Sequence, residues 1–404
     1  MSYQYFSERS EKVYQHFSIV PAAGALGGVV SGLDLNTQLT ESAFDELYQA
    51  FLEYKVLFFK QQAMTPEQHI ALARRFGLPQ GPGSVPSLPE FPQVKEQVMD
   101  EDTNIGSDVN YHADDTFRTY PSKLSILRGL KMPAGGGNTI WTDMEKSFKA
   151  LSEPMQVFLE GLSCIHNLDK TFGRAILEAG GGEAWDRFMK ENPPVTHPLI
   201  VTHAETGRKS IYASQLTGVR IPELSEEESD TLLAMILKHS YQPEFQCRFT
   251  WEDDSIAIWD NRCTQHRGIA DFFPAYRHMH RIAVVDTLRP STNPSEQEPL
   301  QFDPELDYVK IHELGEYKPH LDEEVVNESK PADDNAEVDP QFWQKLNDKK
   351  ADYTFTSGAA AQVKKIPMMF RSPALRAIFK MAEFKGVSEI NVALLKEVNE
   401  SRKN

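Results

Sequence analysis

Short apolar segments recur through the first 290 residues and predict a protein built mainly from short β-strands. Residues 17–40 form a strand-and-turn region, and the buried-looking run VLFF at 56–59 is a strand. Further strands are predicted at 111–117, 123–130, 138–143, 163–168, 195–202, 209–213, 245–250, 255–259 and 277–287. Many short strands with a few outer helices are typical of a double-sheet jelly roll.

Helical patterns are fewer, and residues that typically cap helices identify where they begin. A helix is predicted at about 41–54, and another begins with a capping box formed by Thr65 and Gln68. This second helix ends at Gly77, which we expect to be a left-handed C-cap. A further capping box starts a helix at 225–238. Residues 79–110 are rich in Pro, Gly and acidic side chains, so we predict a long loop there that covers the active site.

The character of the chain changes after residue 290. Residues 291–340 are Pro-rich and acidic, which indicates a linker. Helical patterns return in 341–404, so we expect a jelly-roll domain at 1–290, a linker at 291–340 and a helical C-terminal extension. The apolar stripe at 387–395 favours packing on the domain or on a second subunit of a homo-oligomer. The alternative is a lid over the substrate.

Charge and cysteine content exclude several classes of protein. The net charge of -17 argues against binding to nucleic acid or to an anionic membrane surface. No apolar run approaches the roughly 20 residues that span a bilayer. Cys164, Cys247 and Cys263 show no CxxC spacing, and three unpaired thiols suit a reducing compartment. We therefore predict a cytoplasmic protein.

Two distant motifs carry candidate metal ligands. The first is NYHAD at 110–114, and the second is WDNRCTQH at 259–266. If 111–117 is extended, His112 and Asp114 point to the same face, and His266 can supply a third ligand. Two His and one carboxylate on one face of a metal are typical of mononuclear non-haem Fe(II) oxygenases. An HxD pair alone is usually structural, so the interpretation depends on the residues around it.

A strand at 277–285 provides part of that context. A two-residue period places Arg277 and Arg281 on one face, and His278 and His280 on the other. Two inward-facing guanidinium groups need anionic partners, which a dicarboxylate cosubstrate would supply in bidentate fashion. We interpret the HxH pair as structural or surface histidines and not as metal ligands.

From about residue 17 to 288 the chain resembles the taurine dioxygenase / 2,4-dichlorophenoxyacetate dioxygenase family of Fe(II)/2-oxoglutarate enzymes. The resemblance rests on ordered motifs with the family's spacing: TPEQHIALARRFG, YHADDTF, GGGNTIWTDM, PEFQCRFTWEDDSIAIWDNRCTQH and YRHMHRIAV. It implies a double-stranded β-helix core, which is a jelly roll.

The resemblance also implies the role of each site residue. The implied iron ligands are His112, Asp114 and His266. Arg277 and Thr139 would hold the distal carboxylate of 2-oxoglutarate. Arg281 would lie close to the metal, near the chelating carboxylate or an anionic group of the substrate. Trp259 and Asn261 are expected to surround or pack against the site.

The implied activity is hydroxylation of an unactivated C–H bond of a small molecule. O2 is consumed, and 2-oxoglutarate is decarboxylated to succinate and CO2. Related halogenases replace the iron-binding carboxylate with a small residue, so the presence of Asp114 favours hydroxylation. The alternatives are desaturation, cyclisation or heteroatom–carbon cleavage with the same cofactors, and a non-catalytic 2-oxoglutarate-binding scaffold.

The sequence departs from the taurine-type pattern at the expected substrate pocket. The loop at 80–84 reads QGPGS and lacks the His that taurine-type members carry there. Asp108 and Asp115 add acidity near the triad, so we expect a substrate other than taurine, either cationic or rich in hydroxyl groups. The alternative is that both carboxylates only cap local structure. Phe117 and Phe172 are expected to lie at the pocket.

Overall fold

The computed structural model describes residues 12–82, 85–101, 109–168, 182, 185–186, 189–190, 192–303, 305–309, 338–350, 352–366 and 368–401. The described residues form two compact units. The first unit comprises those up to 309, except the few between 182 and 190. The second unit comprises those few together with 338–401.

The first unit contains mixed β-sheets with helices around them. Its strands are β1 (Ser18–Pro21), β2 (Gly28–Ser31), β3 (Val56–Phe59), β4 (Ser87–Leu88), β5 (Phe91–Met99), β6 (Ser122–Lys131), β7 (Thr139–Asp143), β8 (Ser163–His166), β9 (Val195–Pro198), β10 (Ile200–Thr202), β11 (Lys209–Ile211), β12 (Gly218–Arg220), β13 (Gln246–Phe249), β14 (Ile256–Asp260), β15 (Thr264–Gly268) and β16 (Arg277–Val285). Its helices are α1 (Glu41–Tyr54), α2 (Pro66–Phe76), α3 (Met144–Lys149), α4 (Glu153–Glu160) and α5 (Glu226–Ser240).

Two of the sheets position the candidate site. The large sheet has the order β1-β2-β3-β14-β6-β16-β5-β4, and a three-stranded sheet has the order β13-β7-β15. One face of the large sheet shares a buried core with the small sheet, built around Trp141, Phe58 and Trp259. The other face packs against α1 and α2 through Phe51 and Ile282, among others. The large sheet is therefore covered on both faces, which explains the apolar and fully buried strand β3 and the nearly apolar strand β14 at its centre.

The helix ends follow the predicted capping chemistry. Thr65 and Gln68 cap each other reciprocally at the start of α2, as the capping box predicts. The same reciprocal cap forms at the start of α5 between Ser225 and Glu228. The prediction of a left-handed helical C-cap at Gly77 is wrong, because its φ of 145° and ψ of -166° lie outside the left-handed helical region, in a region that Gly alone adopts readily.

Two predicted segments differ from the structure. The predicted loop at 79–110 contains β4 and β5, and β5 pairs with β16 inside the large sheet. The predicted strand at 111–117 is a single β-bridge at His112 followed by a turn. Asp115 has a φ of 61° in that turn, a left-handed conformation that Asp adopts more readily than most residues.

The second unit has its own apolar core. Its elements are α6 (Pro340–Asn347), β17 (Thr354–Phe355), α7 (Ser357–Lys365), α8 (Met368–Lys385), β18 (Glu389–Ile390) and α9 (Val392–Ser401). Phe355, Ala360 and Ile390 are almost completely buried in this core. No helix in the described part of the chain is both long and apolar enough to cross a membrane. The predicted boundaries at 290 and 340 stay a prediction. Residues 291–309 belong to the first unit and are hydrogen-bonded to its strands; for example, the Thr202 amide donates to the Ser291 carbonyl at 2.8 Å.

Candidate active site

A β-bridge brings the two histidines of the distant motifs side by side. The amide of His112 donates to the carbonyl of His266 at 3.0 Å, and the amide of His266 donates back at 2.7 Å. Residues paired in this way extend their side chains to the same face. The centres of the two imidazole rings lie 4.2 Å apart. Backbone pairing, and not local spacing, therefore assembles the histidine half of the site.

The surroundings of both imidazoles suit metal binding. His112 Nδ1 lies 2.8 Å from the carbonyl oxygen of Asn110, so Nδ1 carries the proton and Nε2 keeps its lone pair. That Nε2 lies 3.8 Å from Asp114 Oδ1. Burial, helped by the neighbouring His112, lowers the pKa of His266 to about 3. His266 also packs against the ring of Trp259, with ring centres 4.7 Å apart.

The Asp114 carboxylate is held ionised between a cation and a hydroxyl. Burial by itself would raise the pKa of Asp114, but Arg281 and the two histidines outweigh it and lower that pKa. Arg281 Nη1 donates to Oδ1 at 2.5 Å, and the Ser125 hydroxyl donates to Oδ2 at 2.6 Å. Ionised carboxylate and neutral imidazole are the protonation states that metal binding requires.

The donor set fits one iron ion. One ligand atom from each of His112, Asp114 and His266 lies within 4.8 Å of the other two, and all three residues are buried. Two nitrogens and one oxygen on one side of a metal leave coordination positions for a bidentate cosubstrate and O2. These three residues could therefore hold Fe(II).

Asn261 organises the surroundings of Asp114. Its Oδ1 accepts hydrogen bonds from the Asp114 amide at 3.2 Å and from Trp259 Nε1 at 2.9 Å. Its Nδ2 donates to the Ser125 hydroxyl at 3.3 Å. One amide thereby fixes the backbone of Asp114, the hydroxyl that binds its carboxylate, and the tryptophan beside His266.

The two residues predicted to hold the distal carboxylate of 2-oxoglutarate lie in neighbouring segments. Arg277 and Thr139 are both buried. Thr139 begins β7, and its hydroxyl accepts a hydrogen bond from Trp251 Nε1 at 3.0 Å. The Arg277 side chain passes Gly137, two residues before Thr139, where a Cβ atom would lie 3.5 Å from Arg277 Cδ. A guanidinium and a hydroxyl so placed could bind one carboxylate.

A buried lysine stands beside the triad. Lys95 in β5 is the register partner of Arg281 in β16, so the two side chains leave the same face of the sheet. Lys95 is 3% exposed, and its Nζ donates to Gln80 Oε1 at 3.2 Å. The hydrogen-bond acceptor of the ammonium, among the described residues, is therefore an uncharged amide oxygen. Burial lowers the pKa of Lys95 to about 8, opposed by the nearby Asp115 carboxylate.

Of the residues predicted to contact the substrate, Asp115 and Phe117 lie in the described part of the chain. Asp115 accepts a hydrogen bond from the Ser122 hydroxyl, and Gln80 Nε2 donates to that hydroxyl at 2.9 Å. Phe117 is half-buried, with the guanidinium of Arg118 4.9 Å from its ring centre. Asp108 and Phe172 lie outside the described residues. The Asp115 contact favours the structural interpretation of this carboxylate over a contact with a cationic substrate.

No pattern in the sequence marks Lys95, Gln80 or Ser125 as a site residue. Ser125 is a single hydroxyl within an apolar run of β6, which is a weak signal for a buried hydrogen-bond donor. Lys95 lies between Val94 and Glu96 in β5, but the composition of 79–110 predicts a loop, and a loop has no defined inward face.

Known proteins are similar to this chain over the same region. Residues 18–283 match the family model described as "Taurine catabolism dioxygenase TauD, TfdA family". The alkylsulfatase of Acinetobacter baylyi is 30% identical over 276 residues, covering 67% of this chain and 86% of that protein. The alpha-ketoglutarate-dependent 2,4-dichlorophenoxyacetate dioxygenase of Cupriavidus pinatubonensis is 31% identical over 279 residues, covering 64% of this chain and 93% of that protein. The crystal structure of a taurine dioxygenase from Burkholderia xenovorans aligns with a TM-score of 0.60 and 28% identity, over 72% of this chain and 96% of that one.

Proposed function

We propose the function from one premise: the chain belongs to the taurine catabolism dioxygenase TauD, TfdA family. It is accordingly a 2-oxoglutarate-dependent dioxygenase, an oxidoreductase that uses Fe(II), 2-oxoglutarate and O2. We infer that its large and small sheets form the double-stranded β-helix predicted from the sequence.

The iron ligands in this proposal are His112, Asp114 and His266. The observation that carries the proposal is that these three side chains lie together although His112 and His266 are 154 positions apart in the sequence. One β-bridge pairs the two histidines, and the turn after His112 places Asp114. Arg277 and Thr139 are proposed to bind the distal carboxylate of 2-oxoglutarate. Bound Fe(II) would supply the means to activate O2, which is the oxidant: one oxygen atom would enter succinate as 2-oxoglutarate loses CO2, and the other would hydroxylate a C–H bond of the substrate.

The protein residues prepare this chemistry by holding and shielding the ligands. Asn261 and Ser125 fix the orientation of Asp114, and Arg281 keeps the carboxylate ionised. Trp259 covers one side of the His266 ring and limits the access of water to it. We propose hydroxylation as the outcome. Desaturation, cyclisation and heteroatom–carbon cleavage are the alternatives, because they differ only in how the substrate is held.

The substrate is proposed to be a small molecule with an anionic group, and not taurine. The named relatives act on an alkyl sulfate and on 2,4-dichlorophenoxyacetate, and both carry a negative charge. Burial of the Lys95 ammonium is costly, and the nearby Asp115 carboxylate offsets that cost only in part. An anion bound between Lys95 and Arg281 would offset it further. The absence of a His at 80–84 separates this chain from the taurine-type pattern. This charge pattern disfavours the cationic substrate considered from the sequence.

The test of the reaction class is succinate formation. Purified protein with Fe(II), ascorbate and 2-oxoglutarate should form succinate slowly even without substrate, and His112→Ala should form none. His16→Ala, which removes an imidazole from the surface pair with Glu46, is the control and should retain the activity. Equal succinate formation by the wild type and His112→Ala would refute the assignment. The cytoplasmic location and the homo-oligomer stay predictions.

A further inference from the structure

The reverse face of β16 carries a second set of two imidazoles and one carboxylate. Alternate residues of this strand face opposite sides of the sheet. Met279 lies in the core between the two sheets, and Arg281 contacts Asp114. His278 and His280 therefore face away from the triad, on the side of the sheet that α2 covers.

Glu96 completes this set from the neighbouring strand. Glu96 in β5 is the register partner of His280 in β16. His278 Nε2 lies 3.2 Å from Glu96 Oε1, and the two imidazole ring centres lie 5.2 Å apart. One ligand atom from each of the three residues lies within 4.8 Å of the other two, the same criterion that the iron triad meets.

We propose that Glu96, His278 and His280 form a second metal site that binds Zn2+. Zinc binds imidazole nitrogen and carboxylate oxygen at about 2.0–2.2 Å, so donor atoms on neighbouring tetrahedral corners lie roughly 3.4 Å apart. The 3.2 Å between His278 and Glu96 already matches that spacing. This proposal replaces our interpretation of the HxH pair as structural histidines.

The surroundings give the site both a rigid side and an open side. His280 is 6% exposed, whereas the side chains of His278 and Glu96 are 21% and 22% exposed. A metal ion could enter from the exposed side and keep water as its fourth ligand. The ion would cross-link β5 and β16, the two strands that carry Lys95 and Arg281 on their other face. The inference does not depend on the proposed function.

A third cluster shows which feature separates a metal site from an ion pair. His203, Asp260 and Cys263 also bring ligand atoms within 4.8 Å of one another. Arg262, however, donates to both oxygens of Asp260, at 2.8 and 2.7 Å. Burial raises the pKa of the Cys263 thiol well above its usual value. One guanidinium binds both oxygens of Asp260, whereas in the iron triad Arg281 binds Oδ1 of Asp114 and Ser125 binds Oδ2. The protonated Cys263 thiol is also a poor ligand, so we assign no metal to this cluster.

The experiment is a metal titration of the full-length chain with the iron triad removed. In the His112→Ala/His266→Ala background, treated with a chelator, we expect one equivalent of Zn2+ to bind by calorimetry. Co2+ should produce the visible absorption of a tetrahedral site. Adding His278→Asn or Glu96→Gln should weaken Zn2+ binding at least ~10-fold. His16→Asn is the matched control, because it removes an imidazole from a surface His–Glu pair that belongs to none of the three-ligand clusters in the described part of the chain.

Three results would overturn the proposal. They are the absence of Zn2+ binding in the double-variant background, binding that survives both His278→Asn and Glu96→Gln, and an equal loss in His16→Asn. The metal-free variants are compared by thermal unfolding, and Zn2+ should raise the melting temperature only where the site is intact. Gln has nearly the same shape as Glu, so we expect Glu96→Gln to fold normally. It therefore still tests the site if His278→Asn fails to fold.

Discussion

The amide of Asn261 hydrogen-bonds to three groups around Asp114, and its removal should weaken iron binding. Asn261→Ala leaves the Asp114 N–H and the Trp259 indole N–H without their acceptor. Loss of such an outer contact weakens metal affinity about 10–100-fold, and unsatisfied buried donors lower the free energy of unfolding by about 1–3 kcal/mol. Fe(II) titration and urea denaturation measure the two effects.

The control for this prediction is Asn293→Ala, an exposed asparagine in the same unit. We expect Fe(II) affinity and stability close to the wild type for this control. A stability loss in Asn261→Ala with unchanged Fe(II) affinity would mean that Asn261 supports packing alone.

Lys95 should give the reaction a pH dependence. Burial lowers its pKa to about 8, so the ammonium is present below that pH and is lost as the pH rises through it. The value of kcat/KM for an anionic substrate, which reflects the free enzyme, should therefore fall above pH 8. Lys95→Arg stays charged and should remove the fall, and Lys95→Met should be poor at every pH.

The buried ammonium of Lys95, which should favour the reaction at low pH, should destabilise the fold over the same pH range. The pKa of Lys95 is lower in the folded protein than the ordinary 10.5, so the unfolded chain binds more protons between the two values. Its contribution to stability is fully present above 10.5 and is lost as the pH falls through 8. Lys95→Met should therefore raise the free energy of unfolding most below pH 8. An unchanged pH profile of stability would contradict the buried ammonium.

At the scale of elements, the capping box of α2 should stabilise the fold without affecting turnover. Thr65→Ala removes the hydroxyl that accepts from the backbone N–H of Gln68. The free energy of unfolding, measured by urea denaturation, should fall by about 0.5–2 kcal/mol. Thr65→Ser keeps the hydroxyl and should lie close to the wild type. Because α2 packs on the face of the sheet away from the triad, succinate formation should not change in either variant. A loss of activity in folded Thr65→Ala would contradict this separation.

The elements that the sequence predicted are those with local signals. The capping boxes of α2 and α5 depend on residues three positions apart, so the sequence contains all the necessary information. The sequence predicts a loop in place of β5, because Lys95 occupies a buried position of this strand and a charged residue there breaks the apolar pattern. The segment at 111–117 turns because Asp115 is left-handed and its carboxylate binds Ser122, a contact that spacing cannot reveal.

The site was predictable to the extent that residue type determines chemistry. Imidazole and carboxylate side chains in ordered motifs indicated His112, Asp114 and His266 without knowledge of their geometry. Ser125 and Lys95 could not be predicted, because their roles come from cross-strand register and burial. The sequence favours structural or surface roles for His278 and His280, and the loop predicted at 79–110 does not bring Glu96 near them. Only the pairing of β5 with β16 brings that carboxylate to His280.

At the scale of the whole molecule, the two units have separate apolar cores. The proposed iron and 2-oxoglutarate residues all belong to the first unit. The core of the second unit is formed by residues 346–398, such as Phe355, Ala360 and Ile390. A segment of about 60 residues is close to the smallest size that folds alone. We therefore expect calorimetry of the full chain to show two unfolding transitions.

Deletion of residues 310–404 tests whether the C-terminal core of the second unit takes part in the reaction. The truncated chain should keep one transition, and its succinate formation should stay within about twofold of the full chain, because domains with separate cores fold independently. Ala360→Asp in the full chain introduces a charge into the second core and should abolish only the other transition. Loss of succinate formation in a truncated chain that still unfolds cooperatively would instead support the lid considered for the C-terminal helices. Retained activity would leave these helices free for a role outside the reaction, such as self-association.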